Sequence, residues 1–300
     1  MPVALKHIAR ILIGITFITS AVLKMIGVDA FEVYVFSTGW FGLPFATILA
    51  RLIISVEGML GILILLQFRY ALIKKIIAGI VVIFSLYLIY LITQGRTENC
   101  QCFGTMISLS PVESLLKNIA LFGLLALAWT CPVIKIPQQA NIALFVVVFT
   151  LVLPSFISPP DFVVHYPDMQ ENTLKIAEKR MVNSPEMQTN GATEGKKMVC
   201  MFSTHCSYCK HAAEKISIIA DRLELNNEVL YVFTGDEQEL PTFWEESRSE
   251  QFKYFFLPMR NFFEIAGPSV PSIYLVNNGV VETHFHYRNI DESKIKSFFK

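Results

Sequence analysis

Hydrophobic positions fall into long unbroken runs in the first half of the chain and into short blocks separated by polar positions in the second. Five apolar stretches, at roughly 8–26, 44–67, 72–93, 111–131 and 140–158, are each long enough to cross a hydrocarbon core of about 30 Å as a helix. The first lacks a small-x-small cleavage site before the polar stretch that follows it, so it reads as a helix and not as a signal peptide. Ser110, Pro111 and Glu113 form a helix-start signature ahead of the fourth run. From Lys197 the pattern changes to alternating strands and helices. Lys197–Phe202 predicts a buried strand, followed by a turn and a helix running from Cys206 to about Leu223. Glu228–Phe233 and Ser272–Val276 predict further strands, and 252–257 is a short apolar run. Asn277-Asn278-Gly279 predicts a hairpin turn into a strand over 280–287. Residues 237–248 and 291–299 predict helices.

These elements imply an α-helical membrane bundle, four helices over 1–135 plus a fifth, tethering helix over 136–160. An α/β domain over 196–300 follows. Residues 161–195 between them are polar and read as a linker or as an N-terminal part of the soluble domain. Composition sharpens the division. The whole chain is 53% hydrophobic and 17% charged, which leans toward membrane. Residues 1–160 hold 10 of the 25 basic and 5 of the 25 acidic residues, so the second half has ordinary soluble composition. A net charge of zero gives no sign of a nucleic-acid partner.

Short-loop charges predict orientation. Lys6 and Arg10 precede the first run, Arg69, Lys74 and Lys75 lie between the second and third, and Lys135 between the fourth and fifth. The opposite loops carry Asp29 with Glu32, and Arg96 with Glu98, without basic excess. An N-terminus in the cytoplasm and five spans place the C-terminal half outside, which in a bacterium is the periplasm. Lys24, Arg51 and Glu57 lie inside or near the apolar runs, where charges are costly and face a bundle interior. Arg51 and Glu57 are six residues apart and cannot pair along one helix, whereas Lys24 with Glu57 is the expected interhelical pair. A role at a quinone or redox pocket is the other reading of these three.

Chemistry is carried by two closely spaced cysteine pairs. Cys206-Ser-Tyr-Cys209 follows a strand and opens a helix, where unpaired N–H groups and the helix dipole favour a thiolate. Cys206 is then the nucleophile in thiol–disulfide exchange and Cys209 the resolving thiol, with His205 and Lys210 nearby. A zinc site would need two more ligands at suitable spacing, so no metal is expected here. Cys200, inside the preceding strand, reads as a small buried apolar residue. Cys100-Gln101-Cys102 permits a small strained disulfide, or binding of a soft ion such as Cu(I). Cys131 falls alone at the cytoplasmic face.

Two resemblances extend this reading. Residues 197–300, with the dithiol and with Val270-Pro271 ahead of a strand, resemble the thioredoxin superfamily, in particular its membrane-tethered TlpA-like and ResA-like members. That resemblance implies a cis-proline at 271 beside the dithiol and backbone bonds from Val270 to a partner chain. Residues 1–135 resemble the MauE family and DoxX-like four-helix membrane proteins. The matching features are Arg10, Gly14, Phe17, Ser20, Lys24, Glu57, Gly58, Gly61 and Cys-x-Cys-Phe-Gly at 100–104. The family's middle residue is often Gly where this chain has Gln101. MauE proteins are implicated in maturing a disulfide-rich enzyme subunit, which implies a disulfide role.

Two dithiols on the same side of the membrane predict a relay. Substrate thiols would reduce Cys206–Cys209, which would reduce Cys100–Cys102, with a membrane quinone as the carrier beyond them. Periplasmic protein thiols or disulfides and the lipid bilayer are the expected partners. A tethered thiol reductase supplied by a separate partner is one alternative. A non-enzymatic metal-handling or assembly protein is another.

Overall fold

A computed structural model describes residues 2–95, 99–134, 138–161, 163, 171–249 and 252–300. Lys135, Arg96 and Glu98, which entered the charge reading, lie outside the described residues. The chain divides into two compact units, residues 1–35 with 45–160 and residues 161–300 with 36–44.

The first unit is built on α1 (Val3–Ile26), α2 (Val28–Ser37), α3 (Leu43–Leu65), α4 (Tyr70–Thr93), a short strand β1 (Cys102–Thr105), α5 (Pro111–Ala128) and α6 (Gln139–Ile157). Five of these helices, α1, α3, α4, α5 and α6, are long and apolar enough to cross a membrane. Their inward faces share one core that includes Ile13, Phe17, Leu60, Ile77, Leu121, Leu125, Ala143 and Val146. Outward faces stay apolar, as at Ile83, Leu116 and Phe145, which suits contact with lipid tails. On α1 the buried stripe includes Gly14, Phe17, Ser20, Ala21 and Lys24, at the three- and four-residue spacing of one helix face. Gly14 and Gly61 let α1 and α3 approach closely: a Cβ on Gly61 would sit 2.9 Å from the Gly14 carbonyl oxygen. The predicted start of α5 is present as a full capping box. Ser110 accepts from the Glu113 N–H, and the Glu113 carboxylate accepts from the Ser110 N–H.

Two expectations change here. The fifth helix is more than a tether, because Ala143 and Val146 of α6 belong to the shared core. Between α1 and α3, the loop carrying Asp29 and Glu32 is the helix α2.

The second unit contains α7 (Glu171–Asn183), α8 (Pro185–Thr189), β2 (Lys196–Ser203), α9 (Ser207–Leu223), β3 (Val229–Thr234), α10 (Leu240–Ser247), β4 (Lys253–Phe256), α11 (Met259–Ala266), β5 (Ser272–Asn277), β6 (Val280–His286) and α12 (Glu292–Phe299). Its five-stranded sheet runs β4-β3-β2-β5-β6, with β2 parallel to β3 and antiparallel to β5. The β5–β6 hairpin closes through Asn278 and Gly279, both at positive φ, as the two-residue turn requires. β2 is buried on both faces. Val199 and Met201 pack with Met181, Met187, Phe262 and Tyr274 on one side. On the other, Phe202 meets Tyr231 edge to face at 4.9 Å between ring centroids, and the Tyr231 hydroxyl donates to the Ala213 carbonyl of α9 at 3.2 Å. Cys200 shares this central strand and is fully buried, which pushes its thiol up.

Of the two readings of 161–195, the linker is corrected over its described part. Ala177, Met181, Met187 and Ala192 are buried in the core of this unit, because 171–192 places apolar residues at helical spacing against β2 and β5. A five-stranded mixed sheet with helices on both faces, preceded by five apolar helices, is the fold.

Candidate functional site

Cys206 is the N-cap of α9. The central strand β2 ends at Ser203, the turn at 204–205 redirects the chain, and the helix begins at Ser207. This places the Cys206 sulfur against backbone donors that the first turn leaves unpaired. Its Sγ accepts from the Cys209 N–H at 3.3 Å. Several effects act on its thiol. A hydrogen bond from the Cys209 side chain lowers it most, burial opposes this, and the Cys209 and Tyr208 N–H groups and the Lys210 charge lower it further. The outcome is a thiol held at about 6, against an ordinary 9.0. Cys209 is fully buried behind it, and burial together with the hydrogen bond and charge of Cys206 pushes its thiol well up. One sulfur is therefore a thiolate at neutral pH and the other a protonated donor, the division of labour between an attacking and a resolving cysteine.

Lys210 is also paired with Glu246 at 3.2 Å. His205 is exposed. The Val270–Pro271 peptide bond is cis, and the Val270 carbonyl oxygen lies 4.0 Å from Cys206 Sγ. Val270, and with it Pro271, is thus placed beside the dithiol. Tyr208, between the two cysteines, is exposed and rests against Tyr287 at 5.0 Å between centroids.

The second pair lies in the first unit. Cys100 and Cys102 are joined as a disulfide with Cα atoms 5.5 Å apart, and both residues are buried. Leu88, Leu91, Phe84, Tyr87 and Leu115 pack around them. Ser114 of α5 places its hydroxyl oxygen 2.8 Å from Cys100 Sγ and 3.1 Å from Cys102 Sγ. Gln101 has φ +55°, a region glycine occupies without cost, which accounts for glycine at this place in the resembling family. Gly104 has φ +64°, and a Cβ there would sit 2.7 Å from the Leu23 carbonyl oxygen. The Cys-x-Cys-Phe-Gly segment therefore folds directly onto the end of α1.

Charge reaches the same place. Lys24 Nζ lies 2.6 Å from Glu57 Oε1, the pair expected from sequence. Ser20 Oγ sits between that pair and the disulfide loop, 2.9 Å from Glu57 Oε2 and 2.7 Å from the Cys102 carbonyl oxygen. Arg51 stands apart from this network. It donates to Glu32 of α2 at 3.0 Å, to the Thr47 carbonyl at 2.8 Å and to the Ser158 carbonyl at 3.0 Å. Sequence reasoning missed both Glu32 as its partner and Ser114 at the disulfide. Nothing in one sequence marks a serine inside an apolar helix as facing two sulfurs. Cys131 is buried, with its Sγ 3.5 Å from His7 Nδ1. Among the described residues, no group of three or more His, Cys, Asp or Glu side chains could hold a metal ion.

Comparison with known proteins bears on the membrane part and on the chain as a whole. Residues 2–131 match the family model of the methylamine utilisation protein MauE. Protein TlpB of Flavobacterium psychrophilum is 26% identical over 346 aligned positions, covering 97% of this chain and 93% of that protein. No solved structure gives a significant match. Taken with the fold, these likenesses identify a multi-pass membrane protein composed of a MauE-like membrane part and a thioredoxin-like domain.

Proposed function

We propose that the protein is a membrane thiol–disulfide oxidoreductase that accepts electrons from protein thiols outside the cytoplasm. The observation that carries thiol–disulfide exchange at this site, in either direction, is the asymmetry of the Cys206/Cys209 pair, a thiolate held at about 6 in front of a buried protonated thiol, beside Val270–Pro271. Cys206 attacks or is attacked by the substrate sulfur, and Cys209 resolves the mixed disulfide. Val270 offers its backbone carbonyl to the substrate chain, and Pro271 holds that carbonyl at the dithiol.

Electrons then pass to Cys100–Cys102. Covalent linkage raises the effective concentration of one pair for the other to roughly millimolar. A membrane quinone is the proposed final acceptor, because Phe84, Tyr87 and Leu115 would offer an apolar and aromatic wall to its ring beside the disulfide. The quinone would supply two-electron acceptance. The protein's own residues would exclude water, and Lys24 with Glu57 would stay structural. The proposed location is the bacterial inner membrane, and the basic residues Lys6, Arg10, Arg69, Lys74 and Lys75 favour an orientation with the N-terminus cytoplasmic and the thioredoxin-like domain periplasmic.

The acidity of Cys206 favours a second reading, a tethered reductase supplied by a separate partner. A thiol at about 6 lies nearer thioredoxin (about 7) than DsbA (about 3.5). The potential of the Cys206–Cys209 couple separates the two: a value near −120 mV, roughly that of DsbA, marks an oxidant, and one near roughly −270 mV a reductant.

The test of the oxidase is direct. Full-length protein in detergent receives a reduced cysteine-containing peptide and a soluble quinone analogue. Quinol formation that depends on the peptide and disappears in Cys100→Ser supports the reading. Absence of thiol-dependent quinol formation in the wild type removes the quinone step.

A further inference from the structure

The Ser114 hydroxyl is fully buried, and among the described residues its hydrogen-bond partners are the two sulfurs of the Cys100–Cys102 pair, at 2.8 and 3.1 Å. A disulfide sulfur carries no proton, so the proton in these contacts is the serine's, and Ser114 is the donor. Disulfide sulfur is a weak acceptor. A thiolate in the same place is a strong one, because hydrogen bonds to a charged partner are roughly twice as strong as neutral ones. The contact is therefore better made after the bond opens than before it. Ser114 also lies in the first turn of α5, which the Ser110–Glu113 capping box fixes and where the helix dipole favours negative charge.

We propose that Ser114 is the hydrogen-bond donor that holds the thiolate released when the Cys100–Cys102 disulfide is reduced. This rests on the reading of that pair as redox-active. In the first step an incoming thiolate attacks one sulfur of the pair. A new S–S bond forms, the Cys100–Cys102 bond breaks, and its electron pair goes to the departing sulfur, which accepts from Ser114. In the second step the other thiol of the incoming dithiol, having lost its proton to water, attacks the mixed disulfide. The incoming pair leaves oxidised, and the second cysteine is released as a thiolate. Two electrons have moved, and the two sulfurs take up protons from water according to pH. Because Ser114 reaches both sulfurs, it serves both steps.

Other charged groups face this loop. Lys24 and Glu57 connect to it through Ser20 and the Cys102 carbonyl, and Lys117 lies over the Phe103 ring at 5.0 Å. Glu113 adjoins Ser114 but is occupied by Ser110. All of them remain when only the hydroxyl is removed, so a change in Ser114→Ala reports on the hydroxyl.

The experiment uses the full-length protein in detergent, equilibrated in dithiothreitol redox buffers from pH 6 to 9. Samples are acid-quenched, then denatured and alkylated so that the redox state of Cys100 and Cys102 is counted. In Ser114→Ala the reduced-to-oxidised ratio at pH 8 should fall about tenfold, about 30 mV for this two-electron couple. Ser114→Thr, which keeps a hydroxyl, should stay within about threefold of wild type. The wild type should itself change from a two-proton to a one-proton pH slope below pH 8, and in Ser114→Ala that change should move upward. Identical curves for wild type and a folded Ser114→Ala would overturn the proposal. A wild-type slope that stays two-proton to pH 9 would also overturn it, whether or not the alanine variant folds. Because a small dithiol supplies the electrons, the result stands apart from whether Cys206–Cys209 is the natural donor. If the natural relay fails while the hydroxyl effect holds, the error lies in the relay.

Discussion

Removing Cys209 should make Cys206 less acidic, by an amount that its surroundings set. The largest lowering influence on Cys206 is the hydrogen bond from the Cys209 side chain. The backbone donors and Lys210 remain when that thiol is lost. A hydrogen bond to a charged group contributes about 1.5–3 kcal/mol, and a half-exposed sulfur feels the lower part of this because water competes. One pH unit corresponds to about 1.4 kcal/mol, so the Cys206 midpoint should rise from about 6 to near 7 in Cys209→Ala. In the wild type the thiolate fraction is about 90% at pH 7 and about half at pH 6, and it falls as pH drops through the midpoint. In Cys209→Ala the fraction at pH 6 drops to about a tenth, so alkylation at that pH should slow about fivefold. Cys209→Ser keeps an O–H donor and should track the wild type. The assay is the rate of iodoacetamide capture between pH 4 and 9, followed on the Cys206 peptide by mass spectrometry. A wild-type midpoint near 8.5–9, the ordinary cysteine range of roughly that value, would refute the reasoning. So would an alanine variant with the wild-type midpoint.

Other substitutions probe the loop at the second pair and the charges beneath it. Gln101→Gly should raise the melting temperature of the full-length protein, since it relieves a positive φ and removes a buried side-chain oxygen that lacks a hydrogen-bond partner among the described residues; the gain should be about 1 kcal/mol. Gly104→Ala should lower it by about 5 °C or more, because the new Cβ meets the Leu23 carbonyl at 2.7 Å in a backbone conformation that costs about 1–2 kcal/mol for a non-glycine residue. Glu57→Gln leaves Lys24, 4% exposed, without its charged partner and should cost about 3 kcal/mol by thermal unfolding. The double change Lys24→Met with Glu57→Leu should recover most of that loss, and a double variant as unstable as the single one would contradict a purely structural pair.

What the sequence made legible was local. Five apolar runs, a Ser-Pro-x-Glu cap and a strand–turn–helix around Cys206 each carry their signal within about twenty residues, and each appears in the structure. Pro271 is legible only through resemblance, and its place beside Cys206 needs the β5 strand to return antiparallel to β2. Partners across the bundle were harder. Lys24 and Glu57 are legible as a pair because both are costly charges inside or near apolar runs and Arg51 cannot meet Glu57 along one helix. Arg51 and Glu32 carry no such signal, since Glu32 reads as a loop residue and only the fold places it on α2 facing Arg51. The α7 helix did leave a trace, Leu174, Ala177 and Met181 at helical spacing, which the polar background of 161–195 obscured. Ser114 left none: its meaning comes from what faces it.

The central claim is that the thioredoxin-like dithiol exchanges with the membrane disulfide. The most direct measurement uses full-length Cys209→Ser, which can attack but cannot resolve. Oxidised protein is incubated near pH 7, acid-quenched, digested without reduction and searched for disulfide-linked peptides. The account predicts a peptide joining Cys206 to Cys100 or Cys102, absent when Cys206 is also changed to Ser. Recovery of an intact Cys100–Cys102 disulfide with Cys206 wholly free, under conditions where Cys206 is alkylated rapidly, would contradict it.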